Sequence, residues 1–141
     1  MKDQFKEIID LQERNLILAM HSSTEIFGVG VLAITHPTES TKSKIFPMGR
    51  KLSNNFLNCI DQLIPIKNFK QLARIAVSIG PGGFTGTRVS VTMARTIAQQ
   101  INCPVDGISS FSLMASRLCK NLSDKKKPFW ITHQLPRQGI I

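Results

Sequence analysis

The order of elements along the 141 residues predicts an α/β fold: a mixed five-stranded sheet with helices. Three observations carry this expectation. Two apolar runs, Leu16–Met20 and Phe27–Ile34, flank the polar turn His21-Ser22-Ser23-Thr24, the pattern of a strand hairpin. Two later runs, 74–79 and 103–108, are short, apolar and set between stretches of helical spacing, as parallel strands joined by crossovers would be. Strands come first and helix–strand–helix–strand–helix follows, which gives three antiparallel strands and two parallel ones.

Each element has its own warrant. Asp3–Glu13 sets Phe5, Ile8, Ile9 and Gln12 on one helical face, so residues 1–14 read as an N-terminal extension to which no function is assigned. Leu16–Met20 is continuously apolar, fitting a strand buried on both faces. In the next strand Gly28 and Gly30 mark close approach or a bulge. His36–Lys44 is polar and reads as a loop, with a short third strand near Lys44-Ile45-Phe46. Arg50–Ile64 repeats Leu52, Phe56, Ile60, Leu63 and Ile64 at helical spacing until Pro65 stops it. That stripe suits core packing or a partner face equally.

The central strand leads into Ser78-Ile79-Gly80-Pro81-Gly82-Gly83-Phe84-Thr85-Gly86-Thr87-Arg88, and then a helix runs to Ile101. Four glycines in seven positions predict positive φ or backbone approach too close for a Cβ. Thr85 or Thr87 is expected to cap the helix, which would start at Thr87 or Val89. No Gly-Lys-Ser/Thr ends the loop and the Gly-x-Gly-x-x-Gly spacing fails, so phosphate binding competes with a purely structural turn. Within the helix, Ser90, Met93, Ala94, Ile97 and Ala98 form a small and adaptable face that lets another helix approach. Ser109 or Ser110 would cap a third helix, Phe111–Asn121, and Phe129–Thr132 would begin another strand.

Composition removes several classes. Hydrophobic content of 42% with 19% charged residues is that of a globular chain. No apolar run reaches the roughly 18–20 residues of a membrane span, and the N-terminus lacks a signal-peptide core, so a cytoplasmic location is expected. Cys59, Cys103 and Cys119 form no metal-binding spacing with one another or with His21, His36 and His133, so the thiols read as reduced packing residues and no metal is expected. The net charge of +9 admits nucleic-acid affinity, yet the dense run is Lys125-Lys126-Lys127 alone, which reads first as a solvated loop.

The stretch from Ile79 to Arg88, the following Val89–Ala98, the turn Val105-Asp106-Gly107-Ile108-Ser109-Ser110 and the opening Ile17–Thr24 together resemble the TsaB (YeaZ) family. That family writes the loop Gly-Pro-Gly-Ser-Phe-Thr-Gly-x-Arg. The resemblance implies a ribonuclease-H-like lobe of the actin-like ATPase superfamily over 15–124, with 125–141 as the start of a truncated second lobe. It further implies a non-catalytic partner of a TsaD-type subunit in making threonylcarbamoyladenosine on tRNAs that read codons starting with A. A TsaE-type ATPase would be a further complex member, a homodimer is an alternative pairing, and tRNA is met indirectly.

The resemblance also assigns sites. The two helices 50–64 and 87–101 would form the docking surface, through Leu52, Phe56, Ile60, Ser90, Met93, Ala94, Ile97 and Ala98. The glycine loop, Gly80, Pro81, Gly82, Gly83, Phe84, Thr85, Gly86 and Arg88, would set the second helix's direction. Arg88 would make a salt bridge, hold loop carbonyls or face solvent. His21, Ser22, Ser23 and Thr24 occupy the superfamily's first phosphate loop, where an Asp usually opens the turn. An imidazole cannot replace that carboxylate for hydrated magnesium. ATP and a metal are therefore expected only in the catalytic partner, whose His-x-x-x-His motif is missing here. The alternatives are an ATP-binding ATPase or kinase-type domain and a basic RNA-binding module.

Overall fold

The computed structural model describes residues 14–35, 41–121, 128–135 and 139–140. Among these residues seven strands and three α-helices follow in order. They are β1 (Leu16–His21), β2 (Ile26–Ala33), β3 (Thr41–Pro47), α1 (Leu52–Asp61), β4 (Leu72–Ser78), α2 (Phe84–Ile101), β5 (Val105–Ile108), α3 (Ser110–Leu118), β6 (Gln134–Leu135) and β7 (Gly139–Ile140). Five strands make one sheet in the order β3-β2-β1-β4-β5. β2 pairs antiparallel with both β1 and β3, while β4 runs parallel to β1 and β5 parallel to β4.

Strand alternation decides where the core lies. Leu18 and Met20 of β1, Phe27, Val29 and Val31 of β2, and Ile75 and Val77 of β4 are buried on the face that α1 and α2 cover. Phe27 packs against Phe56 of α1 with ring centroids 5.0 Å apart, and against Phe46 of β3 at 6.5 Å. On the opposite face Ala19, His21, Gly28, Gly30 and Ala76 floor an open groove of about 270 Å³, edged by Ile45 and by Leu113 of α3.

Several elements differ from expectation for identifiable reasons. β3 begins at Thr41, within the expected loop, because its backbone pairs with β2 as far as Leu32. An edge strand tolerates such exposed polar residues. α1 is shorter than 50–64: a 3-10 turn, Gly49–Lys51, precedes it and it ends at Asp61, with Leu63 and Ile64 in the following turn. α2 starts at Phe84, three residues before the first expected position. Phe129–Thr132 forms no ladder and leaves Trp130 94% exposed; the strand pairing falls to β6 and β7 instead. The helix expected at 3–13 and the lysine run 125–127 lie outside the described residues.

Phe56 is 1% exposed and Leu57 is 38% exposed on the same helix. Phe56→Ala should cost about 3–5 kcal/mol of unfolding free energy, measured by urea titration, whereas Leu57→Ala should cost about 1 kcal/mol or less. Equal losses would contradict this placement of the core.

Candidate functional site

The glycine loop and the serine turn, 60 residues apart in sequence, close on each other above the ends of β1 and β4. A Cβ on Gly82 would overlap Ser23 and stand 2.5 Å from the Ser23 carbonyl oxygen. One on Gly86 would stand 2.7 Å from the Ser22 carbonyl. Neither position admits a side chain without backbone movement. Gly83 has room, its nearest neighbour at 3.5 Å, and donates its N–H to the Ser23 carbonyl at 2.6 Å. Gly80 sits at φ +93°, and its carbonyl accepts the Ser110 N–H. Of the four glycines, two therefore answer to close approach and one to positive φ.

The hydroxyls of the turn are committed within the fold. Ser22 is fully buried and its Oγ donates to the Gly86 carbonyl at 2.9 Å, with Ser90 Oγ 2.7 Å away. Ser23 Oγ shares hydrogen bonds with Ser78 Oγ and Ser110 Oγ. Five buried serines thus tie the turn after β1 to α2, through Ser22 and Ser90, and to β4 and α3, through Ser23, Ser78 and Ser110, in two polar clusters whose members satisfy one another. Thr24 is exposed, and its Oγ1 accepts the Ile26 N–H at 3.2 Å in a local turn. Burial holds the half-buried His21 below the ordinary histidine range, so it is neutral at pH 7.

No side chain caps α2: Gly83 is its N-cap, and the Gly83 carbonyl accepts the Thr87 N–H at 3.0 Å. Thr85 and Thr87, expected as caps, lie inside the first turn. Thr87 Oγ1 is buried with no hydrogen-bond partner among the described residues. Among the described residues Arg88 neither bridges a carboxylate nor holds the loop; its guanidinium lies 3.6 Å from the centroid of the Phe84 ring, a cation–π stack at the surface. Beside this helix start, Thr24, Glu25, Arg50, Phe84, Thr85 and His133 border a cavity of about 370 Å³. His133 and Gln134 were not anticipated at this site, because only the tertiary fold carries them there.

The eight residues expected to form a docking surface turn inward. Leu52, Phe56, Ile60, Ser90, Ala94, Ile97 and Ala98 are all buried, and Met93 is partly buried against the same core. Their spacing records the contact of α1 and α2 with the sheet. The outward side includes Ser53, Asn54, Leu57 and Asn58 on α1 and Phe84, Arg88, Thr92 and Arg95 on α2. The three cysteines are unpaired, burial pushes the Cys59 and Cys103 thiols up, and no cluster of metal-ligating residues exists among the described residues.

Three predictions follow from these contacts. Gly82→Ala should destabilise the protein by about 2–3 kcal/mol or more through overpacking, whereas Gly83→Ala should stay within about 1 kcal/mol; parallel urea titrations measure both. Thr87→Val should leave stability unchanged or raise it, since it removes an unpartnered buried hydroxyl; a loss above about 1 kcal/mol would mean that this hydroxyl has a partner. For His21 the unfolded chain takes up a proton first as pH falls through about 6.5, while the folded chain resists. The group thus has no effect well above that pH and destabilises the fold below it. Thermal melts from pH 7.5 to 5.5 should fall more steeply for the native protein than for His21→Gln, and parallel slopes would remove His21 as the cause.

The sheet order and helix placement are those of the expected ribonuclease-H-like fold. YeaZ from Pseudomonas aeruginosa superposes with a TM-score of 0.65 at 24% identity, over 75% of this chain and 49% of that one. TsaB of Bacillus subtilis, a "tRNA threonylcarbamoyladenosine biosynthesis protein", is 29% identical over 108 residues, 71% of this chain and 43% of that protein. TsaB of Buchnera aphidicola from Schizaphis graminum is 29% identical over 119 residues, 79% of this chain and 52% of that protein. The chain spans about half the length of the curated relatives it matches. The family model described as TsaD, tRNA N6-adenosine threonylcarbamoyltransferase, matches residues 45–132, more than half of the chain. On that match the chain belongs to the family described as TsaD, and it is similar to the TsaB and YeaZ proteins.

Proposed function

We propose that this protein serves tRNA threonylcarbamoyladenosine biosynthesis as a non-catalytic scaffold that docks a TsaD-type subunit. Family membership supports the pathway. The observation that carries the scaffold role is the mutual engagement of the two loops: Ser22 Oγ is spent on the Gly86 carbonyl, and Ser23 Oγ on Ser78 and Ser110. Hydroxyls in the first phosphate-loop position are consumed in placing α2. The neutral His21 offers no carboxylate for hydrated magnesium. In this reading ATP and a metal belong to the catalytic partner, a TsaE-type ATPase joins the assembly, and the complex works in the cytoplasm. Among the described residues no helix is long and apolar enough to cross a membrane.

Docking uses the outward crest of the helix pair, where Leu57 and Phe84 are the large exposed apolar side chains. They are the groups whose burial contributes most on association, with the polar residues around them forming a rim. Native mass spectrometry of this chain mixed with a TsaD-type subunit should show a one-to-one heterodimer. Leu57→Arg should reduce the complex at least tenfold without unfolding the protein, because the side chain is exposed before docking. A folded protein that stays monomeric or pairs only with itself would sink the proposal. Magnesium-dependent ATP turnover by the chain alone would overturn its non-catalytic part.

A further inference from the structure

The net positive charge of this protein is carried by the described residues. The described residues hold twelve lysines and arginines against three carboxylates, Glu25, Asp61 and Asp106, so that 12 − 3 accounts for the whole net charge of +9. The remaining segments, the run 125–127 included, balance to zero. Among the described residues a single ion pair forms, Arg74 with Asp106 at 2.8 Å. Most of these cations therefore form no ion pair among the described residues.

Six of these surround α1. Arg50 and Lys51 stand at its start, in the 3-10 turn that feeds it, and Lys67 and Lys70 lie in the 3-10 turn 66–71 beyond its end. Lys42 and Lys44 flank it from β3. They share the parity of Phe46, which is buried in the core under α1, and Lys44 Nζ reaches Gln62 Oε1 at 2.7 Å just past the helix. All six are exposed. Asp61 is the carboxylate of this side, and its Oδ1 already accepts the Ile66 N–H at 2.9 Å. Glu25 borders the cavity with Arg50 without pairing to it.

Edge protection accounts for lysines on β3. It does not account for Arg50, Lys51, Lys67 and Lys70, which guard no strand edge. An array of exposed cations of this kind has the charge of a nucleic-acid backbone site. A ten-residue helix is about 15 Å long, which spans about four phosphates at roughly 3.4 Å per step of one strand.

We infer that the α1–β3 side of this protein binds the phosphate backbone of RNA directly. The choice of RNA over DNA rests on the role proposed above; the cation array itself does not. In that setting the crest bearing Leu57 and Phe84 meets the protein partner while the neighbouring side meets tRNA.

The test is fluorescence anisotropy of a labelled, unmodified tRNA transcript titrated with the full chain between 50 and 200 mM KCl, concentrations set about the range where such slopes are read. The logarithm of affinity should fall linearly with the logarithm of salt, with a slope near −3 for about four contacts. Lys42→Glu combined with Lys44→Glu should weaken binding at least tenfold and make the slope shallower by roughly 1.5. Arg117→Glu with Lys120→Glu, on α3 and the turn after it, should change affinity less than twofold. Circular dichroism establishes that both variants fold. Absence of binding at the lowest salt, or equal loss in the two variants, would overturn the inference. So would a β3 variant that keeps RNA affinity and loses only the TsaD-type subunit in native mass spectrometry, since that surface would then serve an acidic protein. Heterodimer formation without RNA binding defeats this inference alone, and RNA binding without the heterodimer defeats the scaffold reading alone.

Discussion

The contact on which the rest of this structure depends is the seating of two glycines against two serines. Gly82 and Gly86 lie so close to Ser23 and Ser22 that no Cβ fits between them. This lets the loop after β4 descend onto the turn after β1, and α2 begins at the point of contact. The same closeness brings Ser22 Oγ within reach of the Gly86 carbonyl and of Ser90. Steric permission and polar satisfaction are thus two sides of one arrangement: the missing side chains make the approach possible, and the hydroxyls supply partners for polar groups shut away from water.

From that junction the remaining architecture follows. α2 leaves the loop in a direction that lays Ser90, Ala94, Ile97 and Ala98 on the sheet, where small residues allow close packing over β4. α1 packs beside it and closes over Phe27 and Phe46 with Phe56. Ser110 joins the serine network at the first residue of α3, so that helix is tied to the junction by its start, while its further length is largely exposed. The opposite sheet face keeps an apolar groove, and the single histidine of the turn sits half-buried at its end.

A polar lock of this kind makes different demands from those of a catalytic loop. A phosphate-binding loop leaves backbone donors and hydroxyls free for ligand oxygens. Here the hydroxyls of Ser22 and Ser23 already bond within the protein. The chemistry left at the surface is chiefly charge: solvated cations around α1 and a guanidinium stacked on Phe84. Charge held on a folded surface acts on approaching partners through steering and counterion release.

Much of this was legible in the sequence. Continuous apolar runs marked the central strands, the order of elements implied a mixed sheet, and the glycine density of 80–86 announced a tight passage, because each of these signals is local. Inward and outward were not legible for the helix pair. Leu52, Phe56, Ile60 and Ala94 have the periodicity of a packing face, and periodicity alone does not say whether the packing is against the protein's own sheet or a partner. Nor could Ser23, Ser78 and Ser110 be joined by inspection, since 87 positions separate the first from the last. The sequence by itself determined where the central strands and the helical stretches lie and that the loop after the central strand makes a tight, glycine-paved passage. The tertiary structure alone decided which serines meet, which helical faces are consumed in the core, and where the unpaired charge gathers, because each depends on distances between segments that only folding brings together.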